Sequence, residues 1–240
     1  MSKKLIYSVV TNQYDTIKPV QSFSGFDFWL FTDQEDLKVE GWETKPIPKS
    51  EEPIKQQRLI KIKSSELPSE YDLTIYMDGN MEIIQDPQLF LDRFYNGGFM
   101  TCVHPKRSTL QEEAKEILRK KKDLPVNVEK TLAFAESQGF KDDIGLFETM
   151  VLVRDRSQEV KDLESQWAKV FSENSHRDQL SLPIASFLSG VSIHGIPRIE
   201  LFKYIKRNRG HNVSLKFFRG SSKPHAKKGF LDFLFKSKGG

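Results

Sequence analysis

The residues able to do chemistry stand where apolar runs begin or end: Thr11 and Asn12, Asp33, Asp78-Gly79-Asn80, His104 with Arg107, and Glu148. Asp78 and Asn80 flank a glycine and offer two hard oxygen donors two residues apart. That spacing suits Mg²⁺ or Mn²⁺ held jointly with a phosphate-bearing substrate. The same tripeptide consists of favoured turn residues, so read alone it equally describes a turn. A cation between Asp78 and Asn80 would neutralise a diphosphate and stabilise it as a leaving group, with Arg58, Lys61 or Arg107 adding positive charge. Asp33 is placed to accept hydrogen bonds from a base or a ribose. The chain has no Gly-x-x-x-x-Gly-Lys-Ser/Thr loop, no Gly-x-Gly-x-x-Gly after its first apolar run and no Gly-x-Ser-x-Gly elbow. These absences argue against a phosphate-loop ATPase, a nicotinamide dehydrogenase and an elbow-type hydrolase. The histidines are too dispersed for a local zinc signature.

Such residues act together only if the elements bearing them are parallel neighbours, because ligands of open α/β sheets gather at the carboxyl ends of the strands. The run Leu73 to Met77 is short, apolar and without clean alternation, as expected of a strand buried on both faces. Leu5 to Val10, Phe26 to Phe31, Gly97 to Val103 and Leu146 to Val153 read as further strands. Trp42 to Ile47 is another, marked as a sheet edge by Pro46 and Pro48. Helices are expected from Pro53, carrying Gln57, Arg58, Lys61 and Lys63, and from Pro87 to Tyr95. Another follows Ser108, with Gln111 completing a capping box. Others are expected from Pro125 to Gln138, after Ser157, where Val160, Leu163, Trp167, Val170 and Phe171 mark one face, and from His176 to near Gly190. Alternating strands and helices predict a doubly wound α/β fold, mostly parallel, with helices on both sides.

At 240 residues the chain can bury a core as one domain. The composition, 38% hydrophobic and 29% charged, is that of a soluble protein. Met-Ser-Lys-Lys leads straight into a strand-like run with no signal-peptide pattern, so a cytoplasmic location is expected. The single cysteine, Cys102, excludes an internal disulfide and sits among core-type residues. Residues 1–202 form the expected domain, and 203–240 a basic, aromatic-rich extension. That extension holds eleven Lys or Arg against the single Asp232, a charge of +10 that leaves −6 on the preceding 202 residues. Its Lys227-Lys228 and the cluster Phe230-Leu231-Asp232-Phe233-Leu234-Phe235 suit peripheral contact with an anionic membrane at its inner face. Its aromatic residues are not interleaved with the basic ones, and no nucleic-acid partner is expected.

Several motifs in one order resemble the domain of unknown function 616 family. They are Arg58 with Lys61, Tyr76-Met77-Asp78-Gly79-Asn80, His104-Pro105-Lys106-Arg107 with Glu113-Ala114, Gly145-Leu146-Phe147-Glu148, and Arg177-Asp178-Gln179-Leu180-Ser181. The resemblance implies a GT-A-like glycosyltransferase domain that transfers a sugar from a nucleotide-sugar, most simply a UDP-sugar, to a glycan or other hydroxyl acceptor in surface polysaccharide synthesis. It implies Mn²⁺ or Mg²⁺ at Asp78 and Asn80, with His211 as a further ligand. Around the nucleotide it places Thr11, Asn12, Asp33, Arg58, Lys61 and Asp78. His104 and Arg107 fall on the substrate side, with Glu148, Asp178 and Gln179 in catalytic roles. Asp178 would be the general base of an inverting enzyme; in a retaining one, Asp178 or Gln179 would steady the oxocarbenium-like centre. Asn80 stands where a second Asp is usual in such motifs. That departure keeps open a non-catalytic protein of the same fold that binds a nucleotide-sugar or a glycan.

Overall fold

The computed structural model describes residues 3–208. His211 and the aromatic cluster from Phe230 lie outside the described residues. In chain order the strands are β1 (Lys4–Val10), β2 (Phe26–Thr32), β3 (Glu43–Pro46), β4 (Leu73–Met77), β5 (Met81–Ile83), β6 (Phe99–Val103), β7 (Phe147–Asp155), β8 (Ile193–Ile196) and β9 (Ile205–Arg207). The helices are α1 (Pro53–Ile62), α2 (Pro87–Phe94), α3 (Leu110–Arg119), α4 (Pro125–Ser137), α5 (Gln158–Glu173), α6 (Asp178–Ser189) and α7 (Arg198–Leu201). Seven strands form one sheet in the order β3-β2-β1-β4-β7-β6-β8. β3, β2, β1 and β4 run parallel, β6 and β8 run parallel, and β7 is antiparallel to both its neighbours. This is the expected α/β architecture, mostly parallel and flanked by helices.

Burial along the strands follows from position. Every residue of β4, and all of β1 after Lys4, is buried, because helices or loops cover both faces of the central strands. β2 alternates buried and half-buried, and the edge strand β3 has no fully buried residue. One side of the sheet packs Ile6, Phe28, Ile75, Met100, Cys102 and Val153 into a core. The other packs Leu5, Tyr7, Tyr76, Phe99 and Leu152 against Leu163, Trp167 and Phe171 of α5. Cys102 is thus a core residue, as its neighbours suggested.

Two readings change in detail. The capping box of α3 is built from Thr109 and Glu112, one residue later than Ser108 and Gln111. Asp142 explains the shift: its carboxylate accepts from the backbone N–H of Leu110 at 2.6 Å and of Gln111 at 3.2 Å, and this starts the helix there. An anionic Glu112 also suits a helix N-terminus better than a neutral Gln. Residues 203–208, counted above with the basic extension, include β9, which pairs antiparallel with β5 and sets Arg207 opposite Met81. Tyr204 and Ile205 are buried.

A buried polar network joins α1 to the sheet. Arg154 of β7 and Glu164 of α5 pair at 3.0 Å, both almost wholly buried. Arg154 also donates to the carbonyls of Lys61 at 3.0 Å and Ile62 at 2.9 Å, which the end of a helix leaves without intrahelical partners. Glu164 accepts from the Ser64 hydroxyl and from the Ser65 N–H at 2.8 Å. Arg156 next in line donates to the carbonyls of Ser64, Leu67, Pro68 and Tyr71. The C-terminus of α1 is thereby fixed against β7, and with it the direction of the side chains of α1.

Candidate active site

Asp78 follows β4 at the rim where β1, β2 and β4 end. The antiparallel β7 begins at that same rim, so Glu148 and Thr149 arrive there from a strand's start. The β6–β7 pairing shifts register between Thr101 and Cys102, and this irregularity lies where Thr149 and Met150 face the rim. Bulges of this kind re-aim side chains beside functional sites. The Met150 carbonyl accepts from the Asp78 N–H at 2.9 Å.

On α1, Gln57, Arg58 and Lys61 are spaced so that one helix face presents all three to this rim. Lys61 is 1% exposed and its Nζ donates to Asp178 Oδ2 at 2.7 Å and Thr149 Oγ1 at 3.0 Å, and stands 3.5 Å from Asp78 Oδ1. Arg58 Nη1 lies 3.8 Å from Asp78 Oδ1 and 3.6 Å from Asp178 Oδ2, and its Nε is buried without a hydrogen-bond partner. Tyr76 donates to Asp78 Oδ1 at 2.9 Å, and Gln57 donates to Tyr76 at 3.2 Å. Two cations and two carboxylates thus form one locked cluster, with Asp178 supplied by the first turn of α6.

Burial works against charge on Asp178, yet Arg58 and Lys61 hold its carboxyl well below the usual range. Burial likewise opposes the charge on Arg58, and Asp178 and Asp78 reverse this and raise it. Complete burial lowers Lys61, against the pull of the same two carboxylates. Asp178 is therefore an ionised anchor for Lys61 and Thr149 and a weak proton acceptor. Gln179, one residue on, is half-buried.

Gly79 owes its place to close packing. A Cβ there would lie 2.8 Å from Val10 Cγ2 and 2.9 Å from Asp15 Cβ, while its φ is outside the left-handed region. Beside it, Asn12 and Gln13 do adopt positive φ, 51° and 53°, and both oxygens of Asp33 accept from the Asn12 N–H at 2.9 and 3.0 Å. Thr11 is buried and donates to the Pro53 carbonyl at 3.1 Å, so it anchors the start of α1. An 870 Å³ cleft opens here, lined by Asn12, Gln13, Asp33, Glu35, Asp36 and Glu51 among others. The lining is rich in hydrogen-bond acceptors, which suits hydroxyls and base N–H groups and disfavours phosphates.

His104 ends β6. One ring nitrogen faces the backbone N–H groups of Lys106 and Arg107, the other lies 2.8 Å from the Arg107 guanidinium, and Arg107 itself is held by the buried Glu113. Burial, with Arg107 beside it, pushes His104 down to about 4 from 6.5. Neutral His104 therefore stabilises the fold fully above pH 6.5. Between those two values the unfolded chain binds a proton that the native state does not, so stability falls as pH drops through that window. Urea unfolding at pH 7 and pH 5 should show a steeper loss for the wild type than for His104→Asn; equal slopes would remove this role.

Glu148 is 8% exposed and pairs with Arg198 at 3.1 Å. Burial raises its carboxyl, only partly offset by Arg198, Arg207 and Arg107. Arg198 begins α7, after β8, and was absent from the sequence-derived site, as were Thr149 and Tyr76. The signal for it was the short run Val191 to Ile196 closed by Pro197. The structure thus gathers Arg58, Lys61, Asp78 and Asp178 into one cluster, and His104, Arg107 and Glu148 into a second sector of the rim with Arg198.

The cation implied by the sequence resemblance would meet Asp78, whose side chain is 30% exposed and whose contacts with Tyr76, Lys61 and Arg58 all fall on Oδ1. Among the described residues no group of three His, Cys, Asp or Glu could hold a metal. Asp78, as one partly exposed carboxylate, fits a cation shared with a substrate's phosphates, since Mg²⁺ accepts one or two protein carboxylates in such sites; Asn80 is buried, and its backbone carbonyl accepts from the Asn208 N–H at 2.8 Å. The site does not fit an all-protein cage. No helix among the described residues is long and apolar enough to cross a membrane.

No family model and no curated protein matches the sequence. Among solved structures the chain is similar to mouse xyloside xylosyltransferase 1 in its apo form, at 10% identity and a TM-score of 0.46, over 82% of this chain and 85% of that one.

Proposed function

We propose that this protein is a glycosyltransferase of GT-A type, related to the domain of unknown function 616 family, that uses a nucleotide-sugar donor and a glycan hydroxyl acceptor. The observation that carries this reading is the Arg58–Lys61–Asp78–Asp178 cluster, with Lys61 and Asp178 buried, at the rim of a mostly parallel sheet beside a cleft with room for a nucleoside. The nucleoside occupies the acceptor-rich cleft, with Asp33 receiving hydrogen bonds from it. Its diphosphate extends toward Arg58, with the charge of the fully engaged Lys61 behind it, and both cations face the charge that grows on the leaving group. Mg²⁺ or Mn²⁺, shared by Asp78, Asn80 and the diphosphate, would supply further neutralisation.

The carboxyls of the rim divide by environment, and that division assigns their roles. Asp178, held low and locked by Lys61 and Thr149, orients the cationic pair. Glu148, raised by burial, accepts the proton of the acceptor hydroxyl. The bond from the anomeric carbon to the diphosphate oxygen breaks as that from the acceptor oxygen forms, and a single displacement of this kind inverts the centre.

Release of UDP from UDP-sugars in the presence of Mn²⁺ and glycan acceptors tests the reading. Glu148→Gln should lower kcat about 10²–10⁴-fold with little change in the donor KM. The wild-type rate should fall as pH drops through a value above the ordinary 4.5 of a glutamate, because the base must be ionised. Binding of UDP-sugars without any turnover across a broad acceptor set would favour the binding-protein alternative, whose support is the Asn at position 80. The basic extension is proposed to dock the enzyme on the inner face of an anionic membrane. Removing residues 230–240 should weaken binding to anionic liposomes severalfold and spare soluble turnover, and equal liposome binding would dispose of docking.

A further inference from the structure

The rim is electrically polarised. Its β1–β2 side carries the cleft with Asp33, Glu35, Asp36 and Glu51 against the single Lys49. Its opposite side, at the ends of β6 and β8 and the start of β7, gathers Arg107, Lys122, Arg177, Arg198 and Arg207. Two of these five are already paired, Arg107 with Glu113 and Arg198 with Glu148. Lys122, Arg177 and Arg207 stand outside the close ion pairs among the described residues, although Glu113 acts on Lys122, Arg177 on Asp178 and Arg207 on Glu148.

Their backbones are nonetheless fixed. Arg207 is held opposite Met81 by the β5–β9 ribbon, and the next residue, Asn208, donates from its backbone to the Asn80 carbonyl at 2.8 Å and from its side chain to Glu82 at 2.9 Å. Lys122 donates its N–H to the Ile117 carbonyl at 3.0 Å, which folds the end of α3 back on itself. The adjoining Asp123 accepts from the Ser175 hydroxyl, and Ser175 Oγ accepts from the Arg177 N–H at 3.2 Å, so Lys122 and Arg177 are brought together. Arg177 Nε is buried with no hydrogen-bond partner. The sector is one electrostatic unit: His104 is acted on by Arg107, Arg198 and Lys122, Glu148 by Arg198, Arg207 and Arg107, and Lys122 by Arg177. Glu113, Glu148 and Asp178 offset part of this charge, and the like charges left over cost stability unless a ligand supplies a further anion.

We infer that this sector binds the acceptor, and that the acceptor is a glycan bearing an oxyanion, the carboxylate of a uronate or a phosphate, held by Arg207, Arg177 and Lys122 beside Glu148. The inference rests on the glycosyltransferase reading and names its acceptor class. Guanidinium groups suit both anions because their donors match two oxygens at once. The acidic cleft on the other flank repels such a ligand and so directs it to this side.

The test measures acceptor binding directly, by calorimetry on the full chain, with a uronate oligosaccharide, its neutral methyl ester and a phosphorylated neutral oligosaccharide. UDP binding and UDP-sugar turnover are followed separately. At least one anionic oligosaccharide should bind roughly tenfold or more tightly than the neutral ester, the scale of one charge-assisted contact. Arg207→Ala and Arg177→Ala should each remove about tenfold of that affinity. Neither should move the neutral ester or UDP by more than about twofold, and Lys169→Ala on α5 should change nothing. Preference for the uronate or for the phosphate identifies the anion. Equal binding of all three ligands, no binding of any, or loss of anionic affinity in Lys169→Ala as large as in Arg207→Ala overturns the inference. Turnover by a protein that fails in this way leaves the glycosyltransferase reading standing, whereas charged-glycan binding with no UDP binding or turnover overturns that reading alone.

Discussion

Asp78→Ala is expected to reduce glycosyl transfer by roughly 10²–10³-fold, the loss seen when one preorganised electrostatic group is removed from a transition state. Three side chains converge on its Oδ1: Tyr76 at 2.9 Å, Lys61 at 3.5 Å and Arg58 at 3.8 Å. Without the carboxylate, the two cations retain only Asp178 as a counter-charge, and one of two oxygen donors for a shared cation is gone. Because the side chain is 30% exposed, the fold should survive, with a change in stability within about 1 kcal/mol. Steady-state UDP release together with a thermal melt by circular dichroism checks both halves. Unchanged turnover in a folded variant would remove Asp78 from the chemistry. Asp78→Asn should recover part of the rate, since an amide oxygen still accepts from Tyr76.

Arg154→Met should be the most destabilising of the changes considered, by about 3–5 kcal/mol, because it leaves Glu164 as a lone charge in the core. Glu164 is 1% exposed, and Arg154 has no exposed surface. The same substitution strips the Ile62 carbonyl of its Arg154 donor and leaves the Lys61 carbonyl with the Tyr7 hydroxyl alone, so α1 loses much of its terminal anchor just where it aims Arg58 and Lys61. Urea denaturation should show a lower midpoint at an unchanged slope. Combining Arg154→Met with Glu164→Gln should cost less than the sum of the two single changes, since no unpaired charge remains. A single variant within 1 kcal/mol of wild type would show that water reaches Glu164 and that the network is not a sealed one.

Much of the frame was legible along the chain. The continuous apolar runs of β1 and β4, the alternation of β2 and the prolines at β3 report how many faces of each strand are covered, and that is a local property of composition. The spacing of Gln57, Arg58 and Lys61 placed them on one helix face, and the polar residues after β1, β2 and β4 marked the functional rim. The capping box was missed by one residue because its position depends on Asp142, 32 positions away from Leu110, which no local pattern contains.

The sequence by itself determined which residue types stand at the strand ends and along α1, because periodicity and turn chemistry are short-range. Only the tertiary structure decided that β7 runs antiparallel, bringing Glu148 and Thr149 to the rim by their strand's beginning. It alone decided that Asp178 is neutralised by Lys61 and Arg58 while Glu148 stays raised, and that Arg198 and Arg207 stand near it. Strand order and register join residues more than 100 positions apart, as in the 2.7 Å contact of Lys61 with Asp178. A carboxyl's proton affinity depends on the charges and burial at that distance in space, so the roles of two similar acids could be told apart only once the chain had folded.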